Sequence, residues 1–160
     1  MVAVGRLEGL TPEQQRSWTA FMHMQELLRA RLEQRLLAHA GLSNADYTVL
    51  AVLAAAPGRR MRLADLGSTL GWERSRLHHQ VTRMCERGLL ERGPMPDAPD
   101  GRAVQAVLTE EGLQAIRRAA RPHARDVREL VVDVLTDEQL EQLGGISAAI
   151  LAALGAGEGD

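Results

Sequence analysis

The chain has 160 residues with a formal net charge of −2, and its 45% hydrophobic and 25% charged residues exclude a disordered chain and a polycation. One domain of ordinary size with a sizeable core fits this length. The charge is unevenly distributed, because residues 59–102 hold nine arginines against six carboxylates whereas the remainder is acidic, and such a basic section is suited to a face that meets a polyanion.

The N-terminal section predicts a long helix. It begins after Thr11, because threonine is a preferred N-cap, Pro12 suits the first helical position and Gln14 stands three residues after the cap. It runs to about Ala40, and at 1.5 Å per residue its length of roughly 40 Å exceeds the width of a small core. We therefore expect part of its apolar stripe to contact another chain. The stripe comprises Trp18, Phe21, Leu28, Leu32 and Leu36.

A second helix is predicted after Gly41. Ser43 is a suitable N-cap with Asp46 at the third position, and the almost wholly apolar section 47–56 indicates a buried helix. Pro57 and the glycine after it stop this helix. Residues 59–62 are then predicted to form a short strand.

The basic section predicts a helix-turn-helix. Residues 63–70 form a short helix, Gly71 the turn, and Trp72–Arg87 a second helix in which Leu77, Val81 and Met84 recur at helical spacing. The other faces of the second helix carry hydrogen-bond donors and cations with few carboxylates, which suits phosphate oxygens and base edges in a DNA major groove. The alternative is a solvated helix face. The candidate DNA-binding residues here are Arg74, Ser75, Arg76, His78, His79, Thr82 and Arg83.

Two strands, Leu89–Arg92 and Ala103–Leu108, are predicted to follow. The loop between them, GPMPDAPDGR, holds three prolines and an Asp-Gly pair, which favours a hairpin tip. A helix-turn-helix followed by a β-hairpin predicts a winged helix. We expect Arg102 at the tip to reach the minor groove or its phosphates, with Asp97 or Asp100 orienting it. The alternative is an ordinary charged hairpin tip.

Two amphipathic helices are predicted at the C-terminal end. The first starts at Thr109, followed by two glutamates that suit the first turn, and the last starts near Thr136 and reaches Leu154. Long apolar helices on both sides of a winged helix predict a dimer, and a two-fold dimer would place its recognition helices on a palindromic site. The fold class is thus mainly α with a small β-wing (α+β). The apolar seam of the first helix comprises Leu113, Ile116, Ala120, His123, Val127, Leu130 and Val134.

These motifs resemble those of the MarR family of bacterial transcriptional regulators, the multiple-antibiotic-resistance type. The resemblance covers Thr11 to Leu154, and its most specific parts are SRL at residues 75–77, ERGLLER at 86–92, DGR at 100–102 and LTEEG at 108–112. It implies a single domain over residues 1–160, with a DNA-binding lobe at about 42–108 between dimerisation helices at about 11–40 and 109–154. It also implies a triangular homodimer, operator binding and often a phenolic or other small effector.

Two departures from the family pattern limit what the resemblance implies. Many members have Asp-Arg-Arg at the wing tip, whereas this chain has Asp100-Gly101-Arg102 and about two extra residues. His78 and His79 stand where a hydroxyl residue and an arginine are common. The operator preference of the family is therefore not carried over.

An effector pocket, a metal site and a reactive thiol are further hypotheses. Trp18, His23, His39 and Tyr47 lie on the two helices that would bound an effector pocket; the alternative is core and dimer packing. The histidines include no pair at the i, i+4 spacing of a helical zinc site, so we expect no metal and no cofactor. Cys85 stands beside a glutamate, which raises a thiol pKa and favours an inert cysteine.

Enzyme motifs such as a nucleophile elbow, a phosphate-binding glycine loop or HExxH are missing from the sequence, so we expect no enzyme. A single cysteine, no signal-peptide pattern and no membrane-length apolar run favour the cytoplasm. The sequence predicts a homodimeric repressor that binds a palindromic DNA operator and is released by a small molecule. The alternatives are a winged-helix protein-interaction module without DNA binding, and a metal- or redox-sensing regulator.

Overall fold

The computed structural model describes residues 7–95 and 103–155, which divide into two compact units. The first unit extends to His123 and the second begins at Ala124. The predicted wing-tip residues Asp97, Asp100 and Arg102 lie outside the described residues.

The described residues are mainly helical with one small antiparallel sheet, which confirms the predicted fold class. The predicted helix-turn-helix is formed by the third and fourth helices, and the three strands include the two strands of the wing. In chain order the elements are α1 (Pro12–Ala40), α2 (Asn44–Ala55), β1 (Arg60–Arg62), α3 (Leu63–Leu70), α4 (Arg74–Glu86), β2 (Leu90–Pro94), β3 (Val104–Leu108), α5 (Glu110–Leu130) and α6 (Asp137–Gly155).

The helix boundaries follow local capping signals. Thr11 and Ser43 form capping boxes at the starts of α1 and α2, as predicted, each with its side chain accepting a hydrogen bond from the backbone N–H three residues later. Gly41 and Gly71 end α1 and α3 in the left-handed conformation, with φ of 63° and 60°, which glycine adopts without steric cost. These caps separate α1 from α2 and produce the turn between α3 and α4.

The sheet has the strand order β1-β3-β2, with both pairings antiparallel. Arg62 lies opposite Gln105 in the first pairing, and Leu90 lies opposite Leu108 in the second. Strand β2 extends to Pro94, two residues beyond its predicted end. A proline is tolerated there because β2 is an edge strand and needs no N–H donor on its outer side.

The core of the first unit joins the sheet to helices α2 to α5 and includes Leu36 of α1. Leu50, Leu66, Met84 and Leu90 are fully buried in it. The N-terminal part of α5 contributes apolar residues to this core, so only the C-terminal part of the seam predicted along α5 lies outside it. Ala119 is buried there instead of the predicted Ala120, and the predicted Val134 is exposed because the helix ends before it. The α5 residues in the core are Leu113, Ala115, Ile116 and Ala119.

The start of α5 is packed closely against Gly88 and Leu89, which connect α4 to β2. The single O–H of Thr109 is shared between the backbone oxygens of Gly88 and Leu89, at 2.7 and 2.9 Å, and its oxygen accepts from the N–H of Gly112 at 3.0 Å. A Cβ atom at Gly112 would lie 2.1 Å from the backbone oxygen of Leu89. The resemblance motif LTEEG therefore has a packing role at its glycine.

Helices α1 and α6 leave most of their apolar side chains exposed. Leu36 is the one buried residue of α1, and α6, in the second unit, has none. Within the described residues, no helix combines the length and the apolar character required to span a membrane. The exposed apolar side chains are Trp18, Met22, Met24, Leu27 and Leu37 on α1, and Leu140, Ile146, Ile150, Leu151 and Leu154 on α6.

Candidate nucleic-acid interface

Helix α4 has an exposed polar, cationic face and a buried apolar face that packs into the core. Leu77, Val81 and Met84 are buried at no more than 4% exposure, as the periodicity predicted. Among the candidate DNA-binding residues of this helix, Thr82 is half-buried and the others are exposed: Arg74, Ser75, Arg76, His78, His79 and Arg83. The helix carries three arginines and one carboxylate, so its exposed face is positively charged.

The helix begins at Arg74, two residues later than predicted. Glu73 is its N-cap, with an extended ψ of 142° and no hydrogen bond from its side chain to the helix. Trp72 lies before the helix, where its ring packs against the guanidinium of Arg76, with Cζ 4.3 Å from the ring centroid. This cation–π contact holds Arg76 near the N-terminal end of α4 while its N–H groups remain available to an anion.

An arginine on the wing strand β2 contacts helix α4. Arg92 on β2 places Nη1 3.4 Å from the hydroxyl oxygen of Thr82 and Nη2 3.4 Å from Nδ1 of His78. Because arginine only donates, the second contact requires Nδ1 of His78 to be its unprotonated nitrogen. Arg92 lies in the ERGLLER motif but was not among the candidate residues. Its contact with Thr82 joins positions ten residues apart, which the local sequence pattern does not indicate.

A second group of contacts ties α4 to the start of α2. The buried carboxylate of Asp46 accepts from Nε2 of Gln80 at 2.7 Å and from Nη1 of Arg87 at 2.8 Å. Arg87 also donates from Nη2 to the backbone oxygen of Gly41 at 2.8 Å, and Gln80 accepts from Nη2 of Arg83 at 2.7 Å. The candidate DNA-binding residue Arg83 is thus linked through Gln80 to a carboxylate on another helix.

Asp46 is ionised in this environment. Burial raises the pKa of its carboxyl. Hydrogen bonds from the Ser43 backbone and from Arg87 together lower the pKa by more than burial raises it, so the pKa is below its ordinary value. At 4% exposure the carboxylate receives hydrogen bonds from a backbone N–H, an amide and a guanidinium. These donors compensate for the loss of water.

Sequence reasoning identified Asp46 only as a helix-capping residue and passed over Gln80 and Arg87. The capping signal is local, and the capping box is present. The contacts with Gln80 and Arg87 join residues 34 and 41 positions apart. One signal was available, because a glutamine at an otherwise apolar helix position needs a polar partner when buried.

The four residues predicted for an effector pocket are distributed over two helices. Tyr47 on α2 is half-buried, with its ring centroid 4.3 Å from that of His123. Trp18, His23 and His39 are exposed on α1. At 1.5 Å per residue, Trp18 and His39 are about 30 Å apart along the helix, so one small-molecule site in a single chain holds only part of the set.

The thiol of Cys85 is half-buried, and burial, with Glu91 and Glu86 nearby, raises its pKa despite the opposing effect of Arg92. A raised pKa disfavours the thiolate, the reactive form of cysteine. In residues 7–95 and 103–155, no group of three or more histidine, cysteine or carboxylate side chains is arranged to hold a metal ion.

Comparison with known proteins identifies the family. A sequence profile of the MarR family matches residues 40–103. The chain is 36% identical to Sco3205, a MarR family transcriptional regulator from Streptomyces coelicolor solved in complex with DNA, over 91% of this chain and 93% of that one, with a TM-score of 0.86. It is 35% identical to AbsC, a MarR family regulator from the same organism, over 94% and 99% of the two chains, with a TM-score of 0.85.

A mutant of MarR from E. coli, solved with operator DNA, shares the fold at 20% identity and a TM-score of 0.74, over 83% of this chain and 91% of that one. A search of curated proteins found no match. Members of this family are transcriptional regulators, which confirms the expectation that the chain is not an enzyme. By its identity to Sco3205 over nearly the whole of both chains, the chain belongs to the MarR family of transcriptional regulators.

Proposed function

We propose that the chain is a homodimeric repressor that binds a palindromic DNA operator with α4 in the major groove. The observation that carries this proposal is the exposed cationic face of α4, which is anchored on a buried apolar face within a helix-turn-helix. The relative Sco3205, 36% identical, was solved on DNA. A helix of this composition in this position is the usual reader of base edges.

The proposed contacts divide by chemistry. Arg74 and Ser75 stand in the first turn of α4, where backbone N–H groups also point outward, and this suits phosphate oxygens. Arg76, His78 and His79 follow on exposed positions that suit base edges, and Arg83 and Thr82 lie further along the helix. From the wing, Arg102 would contact the minor groove or its phosphates, supported by Asp97 or Asp100.

The test of DNA binding is Arg76→Ala. We expect affinity for a duplex selected by the protein from a random-sequence pool to fall about 30-fold or more, because each such contact contributes roughly 1–3 kcal/mol and a dimer loses two. The oligomeric state should be unchanged. The readouts are fluorescence anisotropy with the selected duplex and sedimentation equilibrium.

Arg29→Ala is the matched control, because Arg29 is an exposed arginine on α1, paired with Glu26 at 2.9 Å. It removes the same charge from another helix and should leave affinity within about twofold, as a surface substitution outside the contact does. Equal losses in both variants would indicate a general charge effect instead of a contact by α4. Wild-type protein that binds no duplex at low salt would favour the protein-interaction alternative, because phosphate neutralisation makes DNA affinity salt-dependent.

The homodimer is proposed from the exposed apolar side chains of α1 and α6. Leu27 on α1 is 58% exposed, and Ile146 and Leu154 on α6 are 57% and 66% exposed. On each of these two helices, exposed large apolar side chains in such number mark an interaction surface. A second copy is the proposed occupant, since a two-fold dimer also supplies the second recognition helix for a palindromic site.

Leu27→Glu tests the dimer. A carboxylate placed in an apolar interface loses its hydration, so we expect the dimer dissociation constant to rise about 10-fold or more, with weaker operator binding. Gln25→Glu adds the same charge at an exposed polar position of the same helix and should leave the dimer intact. A monomeric Leu27→Glu variant that retains full operator affinity would contradict the proposed geometry. Sedimentation equilibrium and anisotropy measure the two quantities.

Release by a small effector completes the proposal. An effector that binds more tightly to a dimer whose recognition helices do not match the operator spacing would lower DNA occupancy by the ratio of its two affinities. Tyr47, with His123 against its ring, is the part of the predicted pocket that is half-buried. The proposed site of action is the cytoplasm, where an operator on bacterial DNA is found.

A further inference from the structure

Gln80 occupies an unusual position in α4. It is 3% exposed on the inward face of the recognition helix, so it cannot contact DNA directly. Both ends of its amide are nevertheless hydrogen-bonded. Nε2 donates to Oδ1 of Asp46 at 2.7 Å, and Oε1 accepts from Nη2 of Arg83 at 2.7 Å.

The hydrogen-bonding capacity of Asp46 and Arg83 determines the orientation of this amide. The carboxylate of Asp46 is ionised and accepts only, so Gln80 must turn its NH2 group toward Asp46. Its oxygen is then directed to the other side, where it can only accept. Arg83 is all donor and supplies the matching N–H. Each hydrogen bond therefore orients the next.

The anchor of this chain of contacts is itself held in place. Asp46 Oδ2 accepts from the backbone N–H of Ser43 at 2.9 Å and from Arg87 at 2.8 Å, which leaves Oδ1 for Gln80. Arg87 is fixed in turn by the backbone oxygen of Gly41. The series Asp46–Gln80–Arg83, which we name the Gln80 relay, thus runs from the rigid start of α2 to an exposed cation on α4.

We propose that Gln80 is a positioning residue that holds the Arg83 guanidinium in its DNA-binding orientation before DNA arrives. The inference rests on the proposed function, because it assigns Arg83 a DNA contact. An arginine has five N–H donors, and the relay uses one of them at Nη2, so the others remain for a phosphate or a base. A preoriented side chain loses less conformational freedom on binding, which strengthens the complex.

A double-mutant cycle with Arg83→Ala and Gln80→Met tests the relay. Methionine has a similar length and remains compatible with burial, but it removes both hydrogen bonds. We expect Gln80→Met to weaken binding to the selected duplex about fivefold or more in the wild-type background, because the Arg83 side chain of each subunit must then be ordered on binding, at roughly 0.5–1.5 kcal/mol apiece. In the Arg83→Ala background its effect should be less than about twofold, because the group it positions is missing.

Val81→Ala is the matched structural control. Val81 is the buried neighbour of Gln80 and touches neither end of the relay through a hydrogen bond. Any effect of Val81→Ala on DNA affinity should be the same with and without Arg83. A Gln80→Met effect that is also the same in both backgrounds, or no effect in the wild type, overturns the inference.

A swapped pair covers the case in which Gln80→Met does not fold. Asp46→Asn combined with Gln80→Glu reverses donor and acceptor between the two residues, retains an oxygen toward Ser43 and Arg87, and keeps an acceptor for Arg83. We expect this variant to bind the duplex within about fivefold of wild type, since each hydrogen bond is preserved. A folded swapped pair that binds as weakly as Arg83→Ala overturns the inference.

The outcomes separate this inference from the proposed function. If Arg76→Ala weakens binding and Arg83→Ala does not, the relay has no role in recognition while the regulator still binds through α4. If wild-type protein binds neither the selected nor a random duplex, the proposed function and the relay are overturned together. Thermal melting of each variant establishes that the protein is folded at the assay temperature.

Discussion

Replacing Gly112 with alanine is expected to lower the free energy of unfolding by about 3 kcal/mol or more, because the added methyl group has no space and a rigid neighbour. Its Cβ would lie 2.1 Å from the backbone oxygen of Leu89 and 2.8 Å from Cδ1 of Leu108. The Leu89 oxygen cannot move away easily, since it accepts from both the backbone N–H and the hydroxyl of Thr109. The first turn of α5 would have to shift instead.

Urea unfolding followed by circular dichroism measures this loss, and Gly144→Ala is its matched control. Gly144 lies inside α6, and a methyl group added there would have no atom of the described residues within 4 Å other than those of its chain neighbours and of the surrounding helix backbone. At this position, alanine should raise the free energy of unfolding by roughly 0.5–1 kcal/mol or leave it unchanged, because glycine is the poorer helix former. A Gly112→Ala variant as stable as wild type would show that α5 does not pack on Leu89 as closely as described.

Replacing Asp46 with alanine is also expected to destabilise the fold strongly, lowering the free energy of unfolding by about 2–3 kcal/mol. The variant removes the acceptor of the Ser43 N–H, leaves the buried Nε2 of Gln80 unpaired, and separates Arg87 from its carboxylate. The full cost of breaking a buried ion pair does not apply, because the side chain of Arg87 is 45% exposed and water can solvate it.

The loss should depend on pH. The pKa of Asp46 in the folded chain is below its ordinary value in the unfolded chain, so its ionised form stabilises the fold. This contribution is fully present above the unfolded pKa and is lost as the pH falls through the folded value. The stability difference between wild type and Asp46→Ala should therefore be constant near neutral pH and decrease below roughly pH 4.

Glu26→Gln is the control for this second prediction, because the Glu26–Arg29 pair at 2.9 Å is nearly as short as the Asp46–Arg87 pair at 2.8 Å, but both of its side chains are 62% exposed. Surface pairs of this kind contribute little, so the change should stay within about 0.5 kcal/mol. Chemical unfolding at several pH values measures both variants. A pH-independent difference for Asp46→Ala would mean that its carboxylate is not the stabilising group.

Much of the fold could be predicted because its signals are local. Thr11 and Ser43 indicated helix starts, and Gly71 indicated the turn between α3 and α4. The three-four spacing of Leu77, Val81 and Met84 identified the buried face of α4, and the candidate DNA-binding arginines of that helix were correctly expected on the surface. Each of these features is decided within a few residues, by capping hydrogen bonds and side-chain periodicity.

Other features depend on neighbours that are distant in the chain. Val134 continued an apolar seam in the sequence, but the helix ends at Leu130 and leaves it exposed. Arg92 fitted a strand pattern, yet its contacts are with His78 and Thr82 of α4. Pairing across the fold, and not the local pattern, determines such contacts.

The amino-acid sequence was therefore sufficient for the helix order, the turn, the cationic face of α4 and the family, because capping, periodicity and charge are properties of short segments. It did not reveal that Gln80 connects Asp46 to Arg83, or that Gly112 must have no side chain. Those facts depend on which atoms of remote segments come within hydrogen-bonding or van der Waals distance, and only folding brings those atoms together.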